Sequence, residues 1–167
     1  MTSDFSHERH KPGSMLERPR ELIVACVPMR SNVNLSQIAR TASAAAVERM
    51  IVCGNARLIS KIARDGAEQL DVALHRTLPP VLDRLGEEGY RLVGLEQATH
   101  SSDLHHYRFE RRTVLVVGNE RLGLSEEVLA RVDDVVEIPV YGMPHSYNAA
   151  IATSMAIYEY CRQFPTG

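Results

Sequence analysis

Residues 21–54 read ELIVACVPMRSNVNLSQIARTASAAAVERMIVCG, and the rhythm of apolar residues changes twice along them. Leu22 to Val27 is a short, continuous apolar run stopped by Pro28, the pattern of a parallel strand buried on both faces. From Asn34 to Ala46 the period becomes helical. At 100° per residue Leu35, Ile38, Ala39, Ala42, Ala45 and Ala46 share one arc, which must face a sheet, and Arg40 projects to nearly the opposite side with Ser36 and Ser43. Met50 to Cys53 is a second strand. The alternation continues outward. Ser60 to Gly66 reads as a short helix ended by glycine and Val72 to Leu74 as a brief strand. Pro79-Pro80 opens a helix through Leu85 that stops at Gly86 to Gly89, before a strand from Tyr90 to Leu95. Gln97 to Arg111 is a polar, loop-rich crossover. Thr113 to Val117 is a strand, Ser125 to Arg131 a helix capped by Ser125, and Val135 to Ile138 a strand. Pro139 to His145 is a loop, and Tyr147 to Gln163 a closing helix. Such alternation specifies an α/β fold with a mostly parallel sheet and helices on both faces. Residues 21–167 are expected to form one domain behind a polar, aperiodic arm at 1–20.

A chain of 167 residues, 44% hydrophobic and 24% charged, has the make-up of a globular domain. Its apolar runs fall short of the roughly 20 residues that span a bilayer. No basic start followed by an apolar run marks a secretory signal, so a cytoplasmic protein is expected. Cys26, Cys53 and Cys161 are odd in number, widely spaced and without a C-x-x-C, which points to reduced thiols. Nineteen basic against 21 acidic residues leave a net charge of −2, too little for a non-specific nucleic-acid coat, so any RNA must meet a local patch. Lys11 and Lys61 are the only lysines. Arginine therefore carries nearly all the positive charge, which favours planar, bidentate contacts to phosphate or carboxylate.

Ligands of open α/β sheets bind beyond the carboxyl ends of the strands. Three segments leave strand ends with polar residues that a core does not need: Ser31 to Asn34, Gly118 to Gly123, and Gly142 to Asn148. Asn34 stands at a helix start, as a cap or a ligand-facing amide. Periodicity alone makes Arg40 a solvated surface arginine. Gly118 permits a close backbone approach and Glu120 sets a carboxylate just past a strand. G-N-E-R-L-G lacks both the third glycine of a dinucleotide fingerprint and the lysine of a P-loop. Ser146 reads as the N-cap of the last helix, and H-S-Y-N-A is not the G-x-S-x-G of a hydrolase. That helix, rich in Ala149, Ala150, Ala152, Ser154 and Ala156, is packed on several sides, against its own domain or a partner subunit. His100, His105 and His106 match no familiar metal spacing and read as solvated loop histidines. Arg108, Arg111 and Arg112 beside Tyr107 and Phe109 read as a stacking and phosphate patch or as a solvated loop.

In this order the three segments resemble the signature of the SpoU (TrmH-like) RNA ribose 2′-O-methyltransferases of the SPOUT superfamily. The first motif matches Asn34-Leu35-Ser36-Gln37-Ile38-Ala39-Arg40-Thr41, the second Leu115 to Leu124 around Gly118-x-Glu120-x-x-Gly123, and the third Ile138-Pro139 to Ser146-Tyr147-Asn148. The resemblance runs from about Glu21 to Arg162. The Gly118 to Gly123 wording is also similar to the C-terminal catalytic domain of eukaryotic enzymes that methylate guanosine 18 of tRNA. Three positions depart from the pattern: Ser36 and Arg121 stand where the family has Gly, and Tyr147 where it has Leu.

The resemblance implies a C-terminal trefoil knot whose loops, from Leu95, Gly118 to Gly123 and Ile138 to Tyr147, cradle S-adenosylmethionine. It implies cofactor contacts at Leu95, Gly118, Asn119, Gly123, Ile138, Met143, Ser146 and Tyr147. It implies a catalytic set of Arg40, Asn34, Glu120, Ser146 and Asn148, an RNA substrate (tRNA favoured over rRNA), no metal, and a homodimer through the first and last helices. Arg40 is then expected to reach the partner's pocket. Guanidinium groups stay protonated, with pKa values above about 12, so its fitting role is to stabilise the nascent 2′-oxyanion and grip the adjacent phosphate. Rival readings are a non-catalytic RNA-binding factor on the same fold, an unrelated nucleotide-binding enzyme and a base methyltransferase.

Overall fold

A computed structural model describes residues 6–8, 16–64 and 69–167. In chain order the described elements are β1 (Arg20–Cys26), α1 (Asn32–Ala44), β2 (Val47–Cys53), α2 (Ser60–Ala63), β3 (Val72–His75), α3 (Pro79–Glu87), β4 (Arg91–Leu95), β5 (Ser102–Asp103), β6 (Thr113–Val117), α4 (Glu126–Leu129), β7 (Asp134–Glu137) and α5 (Ala149–Gln163). The seven strands make one sheet in the order β3-β2-β1-β6-β4-β7-β5. Every neighbouring pair is parallel, so the expected α/β class holds with a wholly parallel sheet. Along β1 side chains alternate between two cores. Leu22, Val24 and Cys26 pack with Leu35 and Ile38 of α1 and Ile157 of α5, while Ile23 and Ala25 pack with Leu82 and Leu85 of α3 and Val128 of α4. Each large apolar side chain so buried contributes about 1.5–3 kcal/mol. Most of the expected arm, and Gly66 at the end of the expected short helix, lie outside the described residues; β1 itself opens at Arg20.

Two caps differ from expectation. α1 starts at Asn32, and the Ser31 hydroxyl accepts from Asn34 N at 3.1 Å, so Ser31 rather than Asn34 caps it. α5 starts at Ala149, not Tyr147, and its cap is Asn148, whose Oδ1 accepts from Ala150 N at 2.9 Å and Ile151 N at 3.3 Å. Ser146, the expected cap, is left exposed in the preceding loop. A cap must directly precede the first helical residue, and asparagine serves there as well as serine. Ser36 is also corrected: it is buried, not outward-facing. Its hydroxyl donates to Asn32 O at 2.6 Å and accepts from Ile59 N at 2.7 Å, because the chain after β2 folds over that flank of α1. The crossover holds the two-residue strand β5, paired to β7 through Ser102 and Asp103. Its side chains are polar, so no apolar period marked it.

Candidate functional site

The site is assembled at the carboxyl edge of the sheet, where the chain leaves β1 and β6 and enters α5. Glu120, just past β6, is its hub. Its carboxylate accepts from the backbone amides of Arg30 and Ser31, each at 2.9 Å, and from Asn34 Nδ2 at 3.2 Å. Asn148 Nδ2 in turn donates to Asn34 Oδ1 at 3.1 Å. Asn34, Glu120 and Asn148, up to 114 residues apart in the chain, thus form one hydrogen-bonded chain of side chains. Burial alone would raise the Glu120 carboxyl, but the amides of Arg30, Glu120 and Ser31 and the Asn34 side chain outweigh it and hold the group below the usual carboxylate range. It is a fixed negative charge that orients both the β1–α1 loop and Asn34.

The turn after β6 is built by two glycines and an asparagine. Asn119 and Gly123 exchange backbone hydrogen bonds at 3.0 and 2.9 Å. Asn119 Oδ1 accepts from Arg121 N and Leu122 N, and its Nδ2 donates to Pro28 O at 2.9 Å. A Cβ at Gly118 would stand 2.7 Å from the Gly123 carbonyl carbon and 2.9 Å from Leu124 N, both backbone atoms that cannot swing aside. Gly118→Ala is therefore expected to destabilise the domain by about 1–3 kcal/mol through overpacking, read as a lower denaturant midpoint with an unchanged slope. Gly123, at φ +65°, lies against the carboxylate of Glu96, which accepts from Leu124 N at 2.9 Å and Gln97 N at 3.0 Å. Gln97 Nε2 donates to His145 O at 3.1 Å.

These contacts draw the three loops of the expected cofactor pocket together. A cavity of about 110 Å³ lies among Leu95, Glu96, Ile138, Val140, Ser146 and Tyr147. It brings four of the expected cofactor residues (Leu95, Ile138, Ser146 and Tyr147) to one place. Gly118, Asn119 and Gly123 form the turn joined to it through Glu96, whereas Met143 is 77% exposed and off the cavity wall. Tyr147 lines both this cavity and a larger groove. Glu96 and Gln97 were not singled out in the sequence. The signal was there, since Glu96 is a carboxylate immediately after an apolar strand, as Glu120 nearly is.

The larger groove, of about 1340 Å³, runs along the outer faces of α1 and α5. Val33, Asn34, Gln37, Thr41 and Ala44 line it from α1, and Tyr147, Ile151, Ser154, Met155 and Tyr158 from the opposite side. Thr41 and Ser154 hydroxyls meet at 2.9 Å and tie the two helices together. Tyr158 is 76% and Ile151 51% exposed, a large apolar stripe for a free surface. Arg40 lies about 240° around α1 from Asn34 and about 9 Å along it, on the border of this stripe. It is exposed and makes no hydrogen bond or ion pair among the described residues, so it joins neither Glu120 nor Asn148 in its own chain.

The other candidate groups lie outside this site. Phe109 is buried, stacks edge-on with Tyr107 and Tyr160, and Tyr107 Oη donates to Asp134 at 2.7 Å. Arg111 lies over the Phe164 ring and Arg112 over Tyr90. Tyr107, Phe109, Arg111 and Arg112 are thus engaged in packing around α5 and β4 rather than free for stacking, while Arg108 is exposed, as in a solvated loop. His105 and His106 are exposed, with His106 Nδ1 3.1 Å from Asp103, and among the described residues no group of three or more His, Cys, Asp or Glu side chains is placed to hold a metal. Cys26, Cys53 and Cys161 are free, and burial pushes the Cys53 thiol up to about 11 and Cys26 higher still, which keeps both protonated. No helix among the described residues is long and apolar enough to cross a membrane.

Comparison with known proteins places this geometry among relatives. The SpoU rRNA Methylase family model matches residues 21–158. The chain is 31% identical over 170 residues to the mouse tRNA (guanosine(18)-2′-O)-methyltransferase TARBP1, covering 96% of this chain but 10% of that protein. It superposes with a TM-score of 0.84 and 27% identity on the Aquifex aeolicus TrmH/SpoU tRNA modifying enzyme, covering 90% of this chain and 78% of that one. The Streptomyces viridochromogenes SpoU methyltransferase AviRb, solved in complex with the cofactor AdoMet, superposes at 0.72 with 26% identity, covering 91% of this chain and 60% of that one.

Proposed function

Because the chain belongs to the SpoU rRNA methylase family, we propose that it is a cytoplasmic homodimer that transfers a methyl group from S-adenosylmethionine to a ribose 2′-hydroxyl of tRNA or rRNA. The observation that carries this reading is the Asn34–Glu120–Asn148 chain of hydrogen bonds, which joins one polar residue from each of three distant segments. The mouse relative's name makes tRNA the favoured substrate and its guanosine 18 the first position to map.

The residues present suit the donor. Leu95, Ile138 and Val140 offer apolar walls for adenine, and the turn from Gly118 to Gly123 stands beside them, joined through Glu96. S-adenosylmethionine would supply a methyl already activated on a sulfonium: the O–C bond forms as the C–S bond breaks, S-adenosylhomocysteine leaves and the 2′-proton passes to water. The protein's part is therefore to orient the hydroxyl in line and stabilise the oxygen as it gives up that proton. Asn34 and Asn148, locked by Glu120, set that orientation, with Ser146 on the rim. Arg40 supplies the positive charge from the other subunit, across a dimer formed where the apolar stripes of α1 and α5 meet their copies. The hydrogen bonds of Glu96 to Leu124 and Gln97 to His145 support the trefoil knot, since they fasten the loop after β4 to the two later loops.

The test has two readouts. Isothermal titration should show one S-adenosylmethionine bound per subunit at micromolar strength. Mapping ribose methylation in transcripts from cells with and without the protein should show at least one 2′-O-methyl mark lost. Absence of heat and of any thermal shift, with an unchanged map, would leave a non-catalytic RNA-binding factor.

A further inference from the structure

Among the described residues some cations are paired with acids and others are not. Arg49, Arg84, Arg91, Arg112, Arg131 and Arg162 each face a carboxylate. Arg30, Arg57, Lys61, Arg76 and Arg121 are exposed, and their side chains have no carboxylate partner among the described residues. Arg40, Arg64 and Arg108 are also exposed without a carboxylate partner among the described residues, but the five named above are grouped. Arg30 follows β1, Arg57 and Lys61 follow β2, Arg76 follows β3 and Arg121 follows β6, so all five stand at the carboxyl ends of four adjacent strands.

Hydrogen bonds hold these loops in one surface. The backbone of Arg30 donates to Glu120, which places Arg30 next to Arg121. Arg57 N donates to Asn32 Oδ1 at 3.1 Å, bringing the loop after β2 onto the start of α1. Gly54 N donates to His75 O at 3.0 Å, bringing Arg76 beside the end of β2. A groove of about 500 Å³ lies between Thr77 and Leu122, the chain neighbours of Arg76 and Arg121, and the one acid on its wall, Glu127, is paired with Arg131 at 3.6 Å. The only described acid in these loops is Glu120, and its oxygens are already taken by Arg30, Ser31 and Asn34. A net charge of −2 overall therefore hides a strip of uncompensated positive charge.

We propose that the carboxyl edge of β6-β1-β2-β3 is a phosphate track. The RNA strand whose reactive ribose sits at Asn34, Glu120 and Asn148 continues along this edge, its phosphodiesters held by Arg121, Arg30, Arg57, Lys61 and Arg76. Neighbouring strands lie about 4.8 Å apart, so the four span about 14 Å, the length of a short run of backbone phosphates. Arginine suits the task, because its planar fork grips phosphate bidentately. The inference rests on the RNA reading above and names the surface that reading leaves open.

Salt dependence tests it. Unfractionated tRNA is titrated against wild-type protein and Arg57→Gln/Arg76→Gln between about 50 and 200 mM salt. Each phosphate contact contributes about −0.7 to −0.9 to the slope of log K against log salt. The double variant should bind at least tenfold more weakly at low salt and lose about 1.5 from the slope, with S-adenosylmethionine affinity and melting temperature unchanged. Arg49→Gln/Arg84→Gln, which removes two paired arginines, should keep the wild-type slope. An unchanged slope in the first variant, or an equal loss in the second, overturns the track while leaving the enzyme reading intact. Failure of wild-type protein to bind tRNA at all overturns both.

Discussion

Mixing two inactive variants, Arg40→Ala and Asn34→Ala, should restore about a quarter of wild-type methyl transfer. Each alone is expected to lose at least a hundredfold, the scale on which one oxyanion-stabilising donor acts. The reason is geometric. Asn34 belongs to the hydrogen-bonded chain with Glu120 and Asn148, while Arg40 stands on another side of the same helix, bordering an exposed apolar stripe and contacting none of the three. If the stripe is the dimer interface, a site draws Arg40 from one subunit and Asn34 from the other. Random reassortment makes half the dimers mixed. Each mixed dimer then has one site with both residues intact and one with neither. A site built within one chain would recover nothing. Arg40→Lys keeps the charge but not the planar fork and should still cut the rate by at least tenfold; near-normal turnover would remove Arg40 from the reaction. Unchanged donor binding in every variant, read by titration, separates loss of chemistry from loss of fold.

How the site forms explains which parts of it could be read in advance. β1, β2, β4 and β6 are buried on both faces, so their apolar runs had to be continuous, and all four were visible as runs ended by Pro28, Gly54, Glu96 and Gly118. Because α/β ligand sites lie past such ends, Asn34, Glu120 and Asn148 were found by position rather than by periodicity. Periodicity failed where a tertiary contact overrode it. Ser36 is polar and off the apolar arc, yet it is covered because two backbone groups use its hydroxyl. The run at 107–112 looks like a nucleic-acid surface, and only the three-dimensional neighbours Asp134, Phe164 and Tyr90 show Tyr107, Arg111 and Arg112 already engaged. The basic rim was illegible for the opposite reason. Its five cations are spread over 92 residues of sequence, from 30 to 121, and only the strand order places them side by side.

Glu120→Gln is expected to damage stability and activity together. The carboxylate accepts three hydrogen bonds, two from backbone amides that open the β1–α1 loop. A glutamine retains one acceptor oxygen and turns an NH2 toward groups that themselves donate, so at least one amide loses its partner. Hydrogen bonds to a charged group contribute about 1.5–3 kcal/mol, and partial exposure of this one favours the lower end, about 2 kcal/mol. In a domain of this size that lowers the melting temperature by roughly 4–8 °C. The pH dependence fixes the sign. The folded carboxyl sits below its unfolded value, so its contribution is fully present above the unfolded pKa, near about 4.3, and is lost as pH falls through the folded pKa. Wild-type protein should therefore lose its advantage over the glutamine variant on acidification below about pH 4, and the two melting temperatures should converge there. Activity should fall at least a hundredfold at neutral pH, because Asn34 loses the acceptor that orients it and Asn148 is hydrogen-bonded to Asn34. Melting curves that differ by the same amount from neutral to strongly acidic pH would show that an ionised Glu120 does not hold the site together.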